Sequence, residues 1–408
     1  MTRPRRYLPG QVKAVTRRTV DGKYFLTPTA KARHIQEYAF GLALSRHETV
    51  RVSAFCAMSN HTHCVLRDDR PSDTTEHSQI SDLFQQFHSL SARALNHLLG
   101  RGGALWEQGS FHDVDVFERL TLEQQLLYLW LNPVRAGLVE RPEDWPGLMF
   151  GPEDLGKTFT VTRPDTGFFT GALAQEARAA RAEREARAVR TQAGLDGRYE
   201  RPSAEVLSDE EDEARERLRN RRRAERDRSR GRSERRQRRL ARDRARRRTK
   251  RRSQPRAAKP AHRPPKGSEL PLEVTYTIHR PPGYEHLSDD ELRAYFRALL
   301  DQALAEVHAE RRAAKRGYRG PDRVRKQDPH ARPPGSTRPT HARAPKVACK
   351  NRHRRVVEVA QLEEFLHQNH ATRERWGQGN HQARFPHGSY GLPRHHAAPV
   401  VRPPPQPS

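Results

Sequence analysis

The chain has 408 residues, 34% hydrophobic and 31% charged, so not all of it can pack around cores and two or three domains are expected. A formal net charge of +27 points to a polyanionic partner, nucleic acid ahead of an anionic membrane surface. No apolar run approaches the roughly 18–20 residues that span a bilayer, no apolar core follows the basic start as a secretory signal requires, and the scattered Cys56, Cys64 and Cys349 form neither a disulfide framework nor a Cys-x-x-Cys zinc motif, so a reducing cytoplasm is expected.

Residues 1–150 hold 18 Lys and Arg against 16 Asp and Glu, which places the basic excess downstream. Within them "GQVKAVTRRTV" (10–20) is rich in β-branched residues and partly alternating, a first strand. Residues 30–47 follow with Ile35, Tyr38, Ala39 and Leu42 at helical spacing. "VRVSAFCAM" and "HTHCVL" read as one long strand or as two, interrupted near Ser59-Asn60. From 79 to 98, Ile80, Leu83, Phe84, Phe87, Leu90, Ala94 and Leu95 recur at three and four, an amphipathic helix that "GRGG" breaks. "LWEQGSFHDVDVF" reads as loop and short strand, and 119–131 as a third helix stopped by Pro133. This order of elements predicts a compact α+β domain.

Downstream, 172–192 has helical character but few residues to bury. Residues 217–252 contain 21 Arg and Lys against 4 Asp and Glu, with Leu218 and Leu240 the only large apolar side chains. Such a segment repels itself and buries too little to offset its ordering entropy, so a disordered, Pro-containing linker is expected over 156–268. Order returns near 270. "LSDDEL" (287–292) pairs Ser288 with Glu291 as a capping box, with Leu287 and Leu292 as a staple, ahead of a stripe of Tyr295, Phe296, Leu299 and Leu300. A further helix is expected over 356–368, a turn and short strand at "RFPHGSYGL", and a frayed tail over 399–408.

The chemistry centres on "MSNHTHCVL" (58–66). On a strand His61 and His63 point the same way and Thr62 the other, which leaves two readings open: partly exposed histidines on a sheet face, or imidazoles sharing a divalent cation. Zinc with Cys64 is disfavoured because Cys64 faces away from both. In "LLYLWLNPVRAGLV" (126–139) Tyr128 and Asn132 stand four apart on one helix face. Tyr128 is a core aromatic with its hydroxyl at the rim, or a phenol beside a metal that helps it attack a phosphodiester.

"MSNHTHCVL" resembles the M-P-N-H-V-H-L-L stretch of the single-tyrosine HUH transposases of insertion sequences, and "LYLWLNPVRAGLV" resembles the Y-I-x-x-N-P-V-x-A-G-L-V helix of their REP-associated branch. "ALWEQGSFHDVDV" and "PEDWPG" sit as in that family, and the likeness covers residues 10–150. It implies a ferredoxin-like antiparallel sheet with His61 and His63 on a central strand, Tyr128 as nucleophile, Asn132 as a third ligand, and Mg²⁺ or Mn²⁺ as cofactor. It also implies a single-stranded, hairpin-bearing DNA substrate, a homodimer, and a bacterial cytoplasmic protein associated with the nucleoid when DNA-bound. Two departures stand out: Thr62 where relatives carry an apolar residue, and a much longer chain after 150, whose later parts resemble the C-terminal extension of a longer subgroup. On this reading residues 1–155 are the catalytic domain and 269–398 a mostly helical extension. Arg17, Arg18 and Arg135 are candidate DNA contacts, while Arg221, Arg222, Arg223, Arg246, Arg247 and Arg248 give nonspecific nucleic-acid contact. The alternatives are a domesticated, non-catalytic DNA-binding relative, or an RNA-associated scaffold built around the arginine tract.

Overall fold

A computed structural model describes residues 4–71, 77–109, 111–170, 269–333 and 346–402. The helix expected over 172–192, the arginine tract and the Pro-rich segment after it lie outside the described residues. From the N-terminus, β1 (Val12–Arg18) leads into α1 (Ala30–Leu44), where the Thr29 hydroxyl accepts from the Ala32 amide at 3.2 Å and caps the helix. β2 (Val50–Ala57) and β3 (His61–Asp68) form a hairpin, so the interruption at Ser59-Asn60 is a turn between two strands. The apolar stripe of α2 (Ile80–Leu98) is buried, and Gly100, at φ +59°, takes the chain out of the helix. β4 (His112–Val116) completes a β-α-β-β-α-β run in which each helix crosses between two strands that admit a third between them.

As the sequence predicts, α3 (Arg119–Trp130) stops ahead of Pro133, and the chain then begins a further turn, α4 (Asn132–Arg135), with the proline in its first positions. An interior helical residue needs the N–H that proline lacks; a first turn does not. Then come β5 (Met149–Phe150), β6 (Thr158–Thr162) and the single turn α5 (Gly167–Thr170). Beyond the undescribed segment, β7 (Glu273–Thr277) pairs antiparallel with β6 as a separate ribbon. The helix α6 (Asp289–Ala313) carries the expected Ser288–Glu291 capping box and buries Leu292, Phe296, Leu300, Leu304 and Val307. A short α7 (Pro321–Arg325), β8 (Val347–Ala348) and α8 (Arg352–Gly377) follow; α8 is longer than the sequence suggests at both ends, starting where Asn351 Oδ1 accepts from the Arg354 amide at 3.0 Å.

The main sheet has the order β5-β2-β3-β1-β4-β8. Its strands pair antiparallel except at one edge, where β8 runs parallel to β4, so the expectation of a wholly antiparallel sheet is corrected to a mixed one. Parallel pairing needs a long connection, which the chain between β4 and β8 provides, and no hairpin dictates the direction of β8. Phe55 of β2 packs on Phe40 of α1 and Phe87 of α2, with ring centroids 4.1 and 5.7 Å apart, so those helices cover one face. The helix α3 lies against β2 and β3, and its Trp130 donates to the Phe150 carbonyl at 2.8 Å. Leu270, Val274, Tyr276 and Phe296 belong to the same buried core as Phe40 and Trp130.

The helix α1 meets β7 at Gly41, where a Cβ would fall 2.5 Å from the Tyr276 ring. Gly41→Ala gains up to about 1 kcal/mol of helix propensity but overpacks this contact, a change that typically costs about 1–3 kcal/mol. Net destabilisation is expected, seen as a lower urea midpoint at unchanged slope; an unchanged or raised midpoint would mean that α1 and β7 do not pack this closely.

Candidate functional site

The pairing of β1 with β3 sets Thr16 opposite His63 and Arg18 opposite His61, which puts these four side chains on one face of the sheet. Both histidines are half-buried, while Thr62 and Cys64 between and after them are buried on the other side. The imidazole centroids stand 4.7 Å apart with the rings nearly perpendicular.

Hydrogen bonds fix the protons. His61 Nδ1 lies 2.7 Å from Asn60 Oδ1, which only accepts, so Nδ1 donates. His63 Nε2 lies 2.9 Å from Asn132 Nδ2, which only donates; Nε2 therefore accepts, and Nδ1 donates to Thr16 Oγ1 at 3.1 Å. Each imidazole thus carries its proton on Nδ1 and its lone pair on Nε2, the condition that outer hydrogen bonds impose on histidines that hold metals. Burial lowers the His63 pKa to about 4. Burial, then the neighbouring His63 and Arg18, lowers that of His61 well below its ordinary value. Both rings are neutral at pH 7.

Leu126, Leu129 and Trp130 bury the inner side of α3, which leaves Tyr128 48% exposed near the helix end. Its ring stands edge-on to His63 with centroids 5.7 Å apart. Asn132 opens α4 four residues later and meets the same imidazole, so β3, α3 and α4 bring His61, His63, Tyr128 and Asn132 together. His63 and Tyr128 line a groove of about 700 Å³ whose walls also include Thr16, Arg18, Gln125 and Lys346.

Arg17 also lines the groove, and its guanidinium donates to the carbonyls of Gly109 at 3.0 Å and Glu107 at 2.8 Å, bracing that loop. Arg135 is exposed on α4 and is not among the residues lining the groove. Arg221, Arg222, Arg223, Arg246, Arg247 and Arg248 lie outside the described residues. Burial pushes the Cys64 thiol well above its ordinary range, so it stays protonated and is a poor ligand. Among the described residues no group of three or more His, Cys, Asp and Glu is placed to hold a metal. The candidate donors here are two imidazole Nε2 atoms and a carboxamide. Sequence reasoning assigned no role to Thr16 or Asn60: Asn60 adjoins the pair in "SNHTH", but Thr16 is distant in sequence and only the strand register reveals it.

No protein-family model matches the chain, and no curated protein sequence does. In structure it is similar over about a third of its length to two solved proteins. One is a REP-associated tyrosine transposase bound to a REP hairpin, at 19% identity over 35% of this chain and 78% of that one, TM-score 0.28. The other is a candidate transposase from Deinococcus radiodurans R1, at 19% identity over 31% of this chain and 93% of that one, TM-score 0.21.

The His63 shift has a consequence for stability. A base whose pKa is lower folded than unfolded binds its proton first in the unfolded state, so its contribution is whole above the ordinary value of 6.5 and is lost as pH falls towards about 4. Metal-free protein should lose melting temperature steadily across that window. His63→Gln should flatten part of the loss; an identical pH profile in the variant would mean that His63 does not sit neutral and buried.

Proposed function

We propose that the chain is a DNA-processing enzyme of the transposase type, which cuts and rejoins single-stranded DNA through a 5′-phosphotyrosine on Tyr128. The observation that carries this reading is the convergence of two neutral imidazoles, a carboxamide and an accessible phenol, with His63 and the phenol on the wall of one groove. The strand order β2-β3-β1-β4 with two crossover helices is that of a ferredoxin-like sheet, in keeping with the resemblance of the two sequence motifs.

His61 and His63, through Nε2, and Asn132 are the residues that would hold Mg²⁺ or Mn²⁺, and imidazole suits Mn²⁺ better. Asn132 presents its NH₂ to His63, and a half-turn of the carboxamide would present its oxygen, so the donor set fits a divalent cation. When bound, such a cation neutralises charge gathering on the phosphoryl oxygens. Tyr128, exposed to the groove, is the attacking group: its Oη–P bond forms as the P–O3′ bond breaks, the phenolic proton leaves to solvent and the departing oxygen takes one up. Attack by a 3′-hydroxyl on the phosphotyrosine restores a phosphodiester, so rejoining needs no outside energy source. Arg18 on the groove wall supplies a phosphate contact, Arg135, exposed on α4, one outside the groove, and Arg17 braces the loop beside it. A hairpin-bearing strand and a homodimer belong to the same reading.

Nicking of an end-labelled single strand carrying a hairpin tests it. Tyr128→Phe should abolish both cleavage and the covalent protein–DNA adduct while binding survives, and EDTA should stop the wild type. Asn132→Ala should lose less than His61→Ala or His63→Ala, because water can fill the vacated position. An adduct that persists in Tyr128→Phe assigns the nucleophile elsewhere, and a wild type that binds without ever nicking is a non-catalytic binding protein.

The arginine tract has no aromatic side chain from 217 to 252 to stack on bases, so it adds affinity without selectivity. Its deletion should weaken binding of hairpin and scrambled strands about equally, flatten the salt dependence and leave the cleaved phosphate unchanged. A changed cleavage site, or a loss confined to the hairpin, would make the tract part of target recognition.

A further inference from the structure

Residues 308–327 run from the last turns of α6 through α7, and they meet both flanks of the site built from His61, His63 and Asn132. One flank is the turn between β2 and β3, closed by the Met58 amide, which donates to the His61 carbonyl at 2.8 Å. Asn60 Oδ1 orients His61, and the Asn60 carboxamide is itself fixed by Nδ2, which donates to the Gly22 carbonyl at 3.1 Å. One residue earlier, the buried Ser59 donates its hydroxyl to Gln327 Oε1 at 2.6 Å. Gln327 is buried too and is held by its backbone: its amide donates to the Val324 carbonyl at 3.1 Å, and its carbonyl accepts from the Thr27 hydroxyl at 3.3 Å. Without that carboxamide the Ser59 hydroxyl would be left buried and unmatched, a penalty that favours moving the turn.

The other flank is α4, a single turn that opens with Asn132. One turn fixes several backbone dihedrals for very few hydrogen bonds, so it takes its position from its neighbours. Arg311 supplies one of them: Nη1 donates to the Arg135 carbonyl at 3.2 Å, one of the end carbonyls that a helix leaves without an internal partner. Gly137 admits this approach. Its φ is +68°, and a Cβ there would fall 2.3 Å from Arg311 Nη2. The amides of Arg319 and Gly320 then donate to the carbonyls of Gly137 and Leu138 at 2.9 and 3.0 Å, and His308 Nε2 donates to that of Glu140 at 3.0 Å.

We infer that residues 308–327 brace the metal-holding groups from both sides, with Gln327 a positioning residue for His61 and Arg311 one for Asn132. Neither belongs to the donor set; each acts through the backbone that carries a donor. The inference rests on the reading of His61, His63 and Asn132 as ligands of a divalent cation. Loss of an outer hydrogen-bond partner typically costs roughly 10–100-fold in metal affinity. Gln327 stands further from the imidazole than Asn60 does, so its loss belongs at the lower end of that range.

The test titrates the full chain with Mn²⁺ alone, without DNA, and follows the free ion by its electron paramagnetic resonance signal, with metal-free melting temperatures recorded beside it. Gln327→Met, close in volume but lacking the acceptor, should weaken Mn²⁺ binding about tenfold, and Ser59→Ala by the same factor. The double variant should lose no more than either alone, since both break one bond. Ser59→Ala carries the comparison if Gln327→Met does not fold. Arg311→Gln should weaken binding less, because Asn132 is one donor of three, and Arg311→Lys, which keeps a donor for the Arg135 carbonyl, should recover part of the loss. Tyr390→Phe, which breaks a 2.8 Å bond to Asp82 of α2 instead, should lower the melting temperature and leave Mn²⁺ affinity unchanged. Unaltered affinity in Gln327→Met, Ser59→Ala and Arg311→Gln, beside a wild type that binds and a His61→Ala that does not, overturns the brace alone. A wild type that holds no Mn²⁺, or binding undiminished in His61→Ala, overturns the metal site and the brace with it. An equal loss of affinity in Tyr390→Phe reduces the effect to general stability and also overturns the inference.

Discussion

The antiparallel register between β1 and β3 is the constraint on which the site depends. Side chains alternate along a strand, so a slip of one residue would exchange the faces of an entire element. In the observed register Thr16 reaches His63 and orients its ring, while Lys13 on the opposite face of β1 reaches Asp113 and Asp115 of β4. The histidine pair and the buried ion cluster are thus two consequences of one alignment. Neither can be moved without the other, and the buried Val15 and Cys64 on the helix-covered face hold that alignment in place.

The neutrality of the imidazoles follows from the same arrangement. Burial under α3 and α4 disfavours the charged rings, and Arg18, across from His61, adds a repulsion that works in the same direction. Asn60 and Thr16 then take the Nδ1 protons, which leaves both Nε2 lone pairs for Asn132 or for a ligand. Three weak local preferences combine into one protonation state, with no carboxylate involved.

Much of this was legible in the sequence because it is local. Alternation places His61 and His63 on one face, spacing by four places Asn132 below Tyr128, and the stripes of α2 and α6 are periodic. Resemblance of the two motifs then joined the pair to the tyrosine. The partners that tie distant segments together were not legible. Thr16 meets His63 only through strand pairing, and β8 joins β4 with two residues too few to carry an alternation signal. Pro133 ends α3 as the sequence predicts, but the turn it opens next was not legible, because the same residue that ends one helix can begin another. The sequence predicts too short an α8 because only Phe365, Asn369 and Thr372 are buried along it, too sparse a set to mark its ends.

The long C-terminal part has a physical reason to be joined to the site. Glu123 lies one turn before Tyr128 on α3, with its side chain 9% exposed. A carboxylate so buried must find donors, and its own helix offers only Arg119, at 3.7 Å. The hydroxyls of Tyr284 and Tyr295 complete it, donating to Oε1 at 2.6 and 2.7 Å. Burial first, and then the Glu123 charge, raises the pKa of both phenols, so they remain donors at any physiological pH. Leaving a buried acceptor unsatisfied costs about 1–3 kcal/mol, and more when it is charged. Phe296 adds an edge-on contact to Trp130, two residues past Tyr128, at 5.6 Å. The helix that presents the tyrosine is therefore anchored at both of its buried ends by residues 284–296, and the chain beyond 269 is a structural component of that helix's seat, not an appendage to a finished domain.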